Sequence, residues 1–444
     1  MMRRAGAALL FVLCMCAAAL AEPTIYKGTI GTHDVVVEFS DDIAKAKDPV
    51  AGRYFYPAQG VDIPLNPVSA GSGKAALAEE KPCDPGICKE PEGDAEPKPP
   101  VGARWTLTAT PKGTGLEGTW QATDGLILPI KLQRIGDRPV AEGLGETSNG
   151  EAFARTPEGL AQIIGTIDSS RKPLSQSSPY DFLKMQVKLQ EGPETVWGKA
   201  AFRYVVDPRT KFGFPRVTRL GPPVDAGHPI NVHLQNRHWR LSLDALSCKA
   251  MQYRGLGWTD VYPGGEAANL GGYDEQNIQV EYLSPMVMSW SESGSIECGG
   301  AHPSHFANAY NLDAKRGELL DLSRLFRGWV PRPYGEDKVA DIAKARANPG
   351  SYSWGPDGKL KAFLLKRAEE KDPELAKECE FKDMLREHLQ ISFKREERAV
   401  FSLAGLPHAI SGVCQGAFFE APLAEIREFL TPGAAEYFPS LKKR

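Results

Sequence analysis

Short runs near the start of the chain alternate apolar and polar side chains with a period of two, and this alternation constrains the fold most. Thr24–Ile30, Asp34–Phe39 and Arg53–Tyr56 form one set, and Trp105–Ala109, Leu116–Gln121 and Leu126–Leu132 a second. Period two places one face of each run in a core and the other in water, the pattern of half-buried antiparallel strands rather than of helices. Each set contains a glycine step before an aromatic strand, Ala51-Gly52-Arg53-Tyr54 and Glu117-Gly118-Thr119-Trp120. A small β-meander or barrel-like sheet over residues 22–135 is expected. Between the sets, residues 66–100 are poor in large apolar side chains and rich in Pro, Gly, Ala and Glu. Such a segment buries too little surface to offset its chain entropy and reads as a disordered insertion.

Residues 136–178 are again polar and read as a linker. From Tyr180 the texture changes. Asn231 is expected to N-cap a helix on which Leu234, Leu241, Ala245 and Cys248 share a stripe. Strand patterns follow at Asn277–Ser293 and His305–Leu312, then a hairpin loop Asp313-Ala314-Lys315-Arg316-Gly317 into Glu318–Leu320. Helical patterns occupy Lys338–Ala347, Leu360–Glu370 and Glu374–His388, and strands return at Leu389–Phe393 and Ala399–Leu403. Pro422 opens an expected closing helix, Leu423–Leu430. The expectation is an α+β protein: the β-rich domain 22–135, the linker, an antiparallel-sheet-plus-helices domain over 179–432, and a tail over 433–444.

Residues 1–21 carry Arg3 and Arg4, an apolar stretch Ala5–Ala18 and a small-residue end Ala19-Leu20-Ala21. They read as a signal peptide cleaved before Glu22, which implies a periplasmic or secreted protein. Later apolar stretches are too short to span a bilayer. Loss of Arg3 and Arg4 takes the formal charge from −3 to −5, a balance that offers no electrostatic grip on nucleic acid. Beyond the signal lie Cys83, Cys88, Cys248, Cys298, Cys379 and Cys414. An even set in an exported protein reads as a disulfide framework.

Catalytic signatures are scarce. GxSxG, HExxH and a complete phosphate loop do not occur. Gly71-Ser72-Gly73-Lys74 has Val68 in place of the first glycine of a phosphate loop and Ala75 in place of its hydroxyl, and Gly143-Leu144-Gly145 lacks a third glycine. His228, His233 and His238 recur every five residues, a spacing that splays them around a helix. His302 and His305 flank Pro303 without pointing to further ligands, so no metal or cofactor is expected. Cys83 and Cys88 are too far apart for a CxxC redox pair but close across Pro85-Gly86.

The most specific stretch is Ser291–Phe326. It holds Cys298-Gly299-Gly300-Ala301-His302, then Ala309-Tyr310-Asn311-Leu312-Asp313, Lys315, Gly317 and Asp321-Leu322-Ser323-Arg324-Leu325-Phe326. In order and spacing it resembles the extracytoplasmic domain of RsiV-type anti-sigma factors, also found in many exported proteins. The resemblance covers roughly Asn231–Leu430, and the N-terminal strands look like the β-domain often found beside that module. It implies a strand, a Gly-Gly-Ala-His loop, a second strand, a hairpin and a short helix. It also implies a recognition role, which in the RsiV type is lysozyme binding. Val413-Cys414-Gln415-Gly416 departs from the family's aromatic-alanine-glycine pattern, and no transmembrane or sigma-binding segment is present. Anti-sigma activity is therefore not carried over.

The functional expectation is an exported, non-enzymatic cell-envelope binding protein that recognises a lysozyme-like enzyme or wall glycan (peptidoglycan). A wall-active hydrolase with an acidic site and a structural envelope protein are the alternatives. The binding residues are expected at Gly299, Gly300, Ala301, His302 and His305, with Tyr262, Tyr273, Trp290 and Trp354 as candidate sugar-stacking rings. The placement of the cysteines on these elements predicts Cys248–Cys298, Cys379–Cys414 and Cys83–Cys88.

Overall fold

The computed structural model describes residues 22–83, 88, 98–139, 156–162, 173–257, 273–298 and 303–442. The fold is mixed α+β and divides into two units. The first takes in Met1–Tyr54, Ile63–Lys81 and Val101–Leu183, and the second Phe55–Asp62, Pro82–Pro100 and Lys184–Arg444.

The first unit is a closed barrel of eight antiparallel strands in sequence order. They are β1 (Thr24–Ile30), β2 (His33–Phe39), β3 (Gly52–Phe55), β4 (Ile63–Gly71), β5 (Lys74–Glu80), β6 (Val101–Ala109), β7 (Gly115–Ala122) and β8 (Ile127–Asp137). Strand β8 returns to β1 with Ile30 opposite Ile130, so no sheet edge is left unpaired. The alternation read from the sequence is realised: in β6, Ala103, Trp105 and Leu107 are buried between exposed Arg104, Thr106 and Thr108.

The disordered reading of residues 66–100 is corrected in its first part. Ile63–Gly71 and Lys74–Glu80 are strands β4 and β5. The small side chains of β5 suffice because buried Ala75 and Leu77 stand opposite bulky Leu107 and Trp105 of β6. The tetrapeptide Gly71–Lys74 is the hairpin turn, with Ser72 and Gly73 at φ 55° and 72°, as a type I′ turn requires. Residues 84–87 and 89–97 lie outside the described residues.

The linker reading of residues 136–178 is also revised. Arg138 is fully buried, and its Nη1 donates to Leu160 O at 3.2 Å. Leu160 lies in α1 (Pro157–Gln162). Helices α2 (Leu174–Ser177) and α3 (Pro179–Lys184) bring in buried Leu174, Tyr180 and Asp181. A buried charge cluster ties this chain to the barrel: Arg53 Nε reaches Glu38 at 2.8 Å and its Nη2 reaches Asp181 at 3.4 Å, while Arg138 Nε meets Glu38 at 3.0 Å. Polar composition concealed a segment held by buried ion pairs as well as by a few buried apolar side chains. Residues 140–155 and 163–172 lie outside the described residues.

The second unit opens with a sheet of order β11-β10-β9, formed by β9 (Gln190–Trp197), β10 (Ala200–Val206) and β11 (Gly213–Leu220). Helix α4 (Pro229–Ala250) follows. Its N-cap is His228, not Asn231, because Pro229 pre-sets the first helical φ and His228 Nδ1 accepts from Ile230 N. The amide of Asn231 is instead occupied by the N–H and C=O of Val217, each at 2.8 Å.

Next comes the sheet β12 (Tyr273–Leu283), β13 (Val287–Ile296), β14 (Ser304–Asp313) and β15 (Glu318–Leu319). The single run expected over Asn277–Ser293 is thus a hairpin, turned where Ser284 Oγ accepts from Met286 N and Val287 N. Strands β16 (Trp329–Pro333) and β17 (Tyr352–Pro356) pair, and β18 (Leu389–Lys394), β19 (Arg398–Leu403) and β20 (Gly416–Pro422) form the last sheet. The intervening helices are α5 (Ile342–Ala347), α6 (Gly358–Lys371), α7 (Pro373–Glu378), α8 (Phe381–Met384) and α9 (His408–Cys414).

The expected closing helix over Leu423–Leu430 is not formed. Pro422 ends β20, and a 3-10 turn at Arg427–Phe429 buries Leu423, Ile426, Phe429 and Leu430. Apolar spacing of three and four residues is met here by successive turns.

All three expected disulfides are present, Cys83–Cys88, Cys248–Cys298 and Cys379–Cys414. Among the described residues no helix is long and apolar enough to cross a membrane.

Candidate functional site

The motif-rich stretch of the sequence is largely scaffold. Tyr310 stacks on Trp290 with ring centroids 5.0 Å apart, and its hydroxyl accepts from Arg237 Nη2 at 3.1 Å. Arg237 also grips Glu292, which accepts in turn from Trp290 Nε1 at 2.9 Å. Asn311 accepts from Ser289 Oγ at 2.6 Å and donates to Ile391 O at 2.7 Å, joining β14 to β18. Asp313 Oδ1 accepts from the N–H groups of Lys315 and Arg316 and so folds the hairpin. Gly317, at φ 66°, lies so close to α4 that a Cβ would stand 2.2 Å from Pro229 O. These residues are specific because they interlock.

Of the expected binding residues, Gly299, Gly300, Ala301 and His302 lie outside the described residues. His305 is exposed on β14, opposite Ser295. Trp290 is no sugar platform, being wholly buried. Trp354 packs partly buried against the second unit's core, Tyr273 opens β12, and Tyr262 lies outside the described residues. The splayed histidines serve three separate ends: His228 caps α4, His233 meets the edge of Trp290, and buried His238 stacks on Phe214. Among the described residues no group of three or more His, Cys, Asp or Glu is placed to hold a metal ion.

The barrel contains one unusual acid. Glu79 Oε2 accepts from both Trp105 Nε1 and Trp120 Nε1 at 2.7 Å. Burial raises its carboxyl above the usual range, opposed by hydrogen bonds from those indoles and from Tyr54. Its Oε2 already carries two donors, so the geometry is that of a satisfied core carboxylate.

A site that the sequence reading missed lies on the β9–β11 sheet. A cleft of about 350 Å³ is bounded by the three strands, by Val224, Asp225 and Ala226, and by Asn231 and Gln235 of α4. Its volume is at the small end of the range for small-molecule sites, roughly 300–1,000 Å³. Strands β10 and β11 set Arg203 directly opposite Arg216. Arg203 pairs with Glu191, while its Nε is buried without a hydrogen-bond partner. Arg216 donates to Pro215 O at 2.9 Å and to His238 Nδ1 at 3.2 Å, and among the described residues no carboxylate pairs with it. Burial alone pushes its guanidinium down to about 10. Burial, followed by the neighbouring Arg216 charge, pushes His238 down to about 3. The imidazole is therefore neutral and accepts from the guanidinium through Nδ1. Thr218 donates to Glu194 at 2.6 Å, and Gln235 stands half-buried at the cleft with its amide unpartnered among the described residues.

The signals for this site were present as Trp197-Gly198-Lys199-Ala200, a hairpin turn, and as alternating Arg203–Val205 and Arg216–Thr218. They carry no motif, only strand periodicity. No family model matches the chain, and no curated protein matches it either.

Proposed function

We propose that the chain is an exported, non-enzymatic binding protein of the cell envelope, periplasmic or secreted, and that its ligand class is wall glycan. A lysozyme-like enzyme is the competing ligand. The observation that carries the reading is the small concave cleft between β9–β11 and α4, lined by Val205, Val217 and Val224 and by Arg216, Thr218 and Gln235. Aliphatic walls with a few convergent polar groups suit a saccharide-sized ligand. A protein partner would instead call for a broad interface, about 800 Å² on each side. The disulfides support an oxidising compartment. Strands β13, β14 and β15 and the 3-10 turn at Leu322–Arg324 follow one another in the order that the RsiV-type resemblance implies.

The test is co-sedimentation of the purified chain with isolated sacculi, in parallel with retention on immobilised lysozyme. Saturable binding to sacculi, with no clearing of their turbidity, is expected. Clearing would make the chain a hydrolase, retention on lysozyme alone would make the enzyme its ligand, and retention by neither contradicts the reading.

A further inference from the structure

We propose that Arg216, Arg203 and Gln235 form a subsite for a single carboxylate group in the cleft on the β9–β11 sheet. The proposal deepens the glycan reading and rests on it for the carrier of the carboxylate, not for the carboxylate itself.

Like charges directly opposite one another on antiparallel strands repel. The register nevertheless pairs Arg203 with Arg216, and Glu191 answers only the first of them. A guanidinium has five N–H donors, and Arg216 places two of its own, on Pro215 O and His238 Nδ1. The remaining donors belong to a half-buried side chain that lines the cleft. Nε of Arg203 is a further buried donor without an acceptor. A planar carboxylate bridging the two guanidinium groups would satisfy both and remove their repulsion. The unpartnered amide of Gln235 supplies another donor across the cleft.

Charge selects a carboxylate over a phosphate. Glu191 and Asp225 also line the cleft, so its two arginines are balanced by two carboxylates. A monoanion is drawn to the local Arg216 charge, whereas a dianion meets the repulsion of both acids. Wall polymers offer carboxylates of two sources, the lactyl group of a muramic sugar and the end of a peptide stem.

Titration calorimetry on the full chain with N-acetylmuramic acid, D-alanyl-D-alanine, N-acetylglucosamine and inorganic phosphate tests the proposal. The result expected is saturable binding of at least one carboxylate probe, at least tenfold tighter than the neutral sugar or phosphate. Which probe binds identifies the source. Arg216→Gln should weaken that binding at least tenfold while the melting temperature is unchanged or higher, since a half-buried guanidinium in contact with no carboxylate among the described residues is removed. Arg216→Lys should restore part of the affinity, because a point charge replaces a fork, and guards against a misfolded first variant. Equal binding of neutral and carboxylate sugars, or carboxylate binding unaffected in both variants, overturns the subsite and leaves the glycan reading standing. Absence of binding by every probe overturns the subsite too, and the sacculus experiment then decides the wider reading on its own.

Discussion

At the scale of single residues, buried charge does much of the specification. In the first unit Glu38 lies between Arg53 and Arg138, all three with side chains at 0% exposure. Glu38→Ala would leave two guanidinium groups buried without it, and the loss of a buried partner costs about 3–5 kcal/mol. Urea unfolding of the variant should show that loss; a change below about 1 kcal/mol would mean that the cluster relaxes to water. His238 makes a second prediction. Its folded pKa, about 3, lies below the unfolded value of about 6.5. The folded chain therefore binds fewer protons, and this stabilisation is complete above about pH 6.5 and lost as pH falls towards 3. The slope is roughly 1.4 kcal/mol per pH unit in that window. In His238→Gln, which keeps an acceptor for Arg216, the acid limb of the stability profile should be shallower by one proton. An unchanged limb would place a charged imidazole in the folded state.

At the scale of elements, close backbone approaches fix how sheets meet helices. The hairpin at Gly317 is pressed onto the start of α4, where a Cβ would meet Pro229 O at 2.2 Å and φ is 66°. Gly317→Ala should destabilise the second unit by about 1–3 kcal/mol from backbone strain, with the collision added. Thermal unfolding of the variant checks this, and a neutral outcome would show that the hairpin moves freely. Much of the element order was legible, because period two and short turns are local signals. What escaped was decided by tertiary partners. Strand β5 has alanines where a core strand usually has branched residues, and it persists because Leu107 and Trp105 of β6 stand opposite Ala75 and Leu77. The closing turns at Leu423–Leu430 mimic helical spacing. The cleft escaped because Arg203 and Arg216 stand thirteen residues apart in the sequence and become neighbours only through strand register. The Gly-Gly-Ala-His motif drew attention to one loop, whereas its companion residues Tyr310, Asn311 and Asp313 serve packing and hydrogen bonding.

At the scale of the whole molecule, the cysteines divide unevenly. All six disulfide-bonded cysteines fall in the second unit, and the barrel contains none of them. The Cys248–Cys298 link spans 50 residues and Cys379–Cys414 spans 35, and loops of that size contribute roughly 2–4 kcal/mol each. The local pair is not idle, since Cys83 N donates to Gln252 O at 2.8 Å and Arg254 donates to Cys88 O at 2.9 Å. Reduction should lower the unfolding temperature of the second unit and leave that of the barrel in place, as two resolved calorimetric transitions would show. A joint shift of both transitions would contradict separate stabilities.

The cleft between β9–β11 and α4 is the proposed seat of ligand recognition. Hydrogen–deuterium exchange of the full chain, with and without solubilised wall glycan, measures this directly. Added protection is expected to concentrate in residues 189–235, with Arg216→Gln abolishing it. Protection confined to residues 297–305, or none anywhere in the chain, would contradict it.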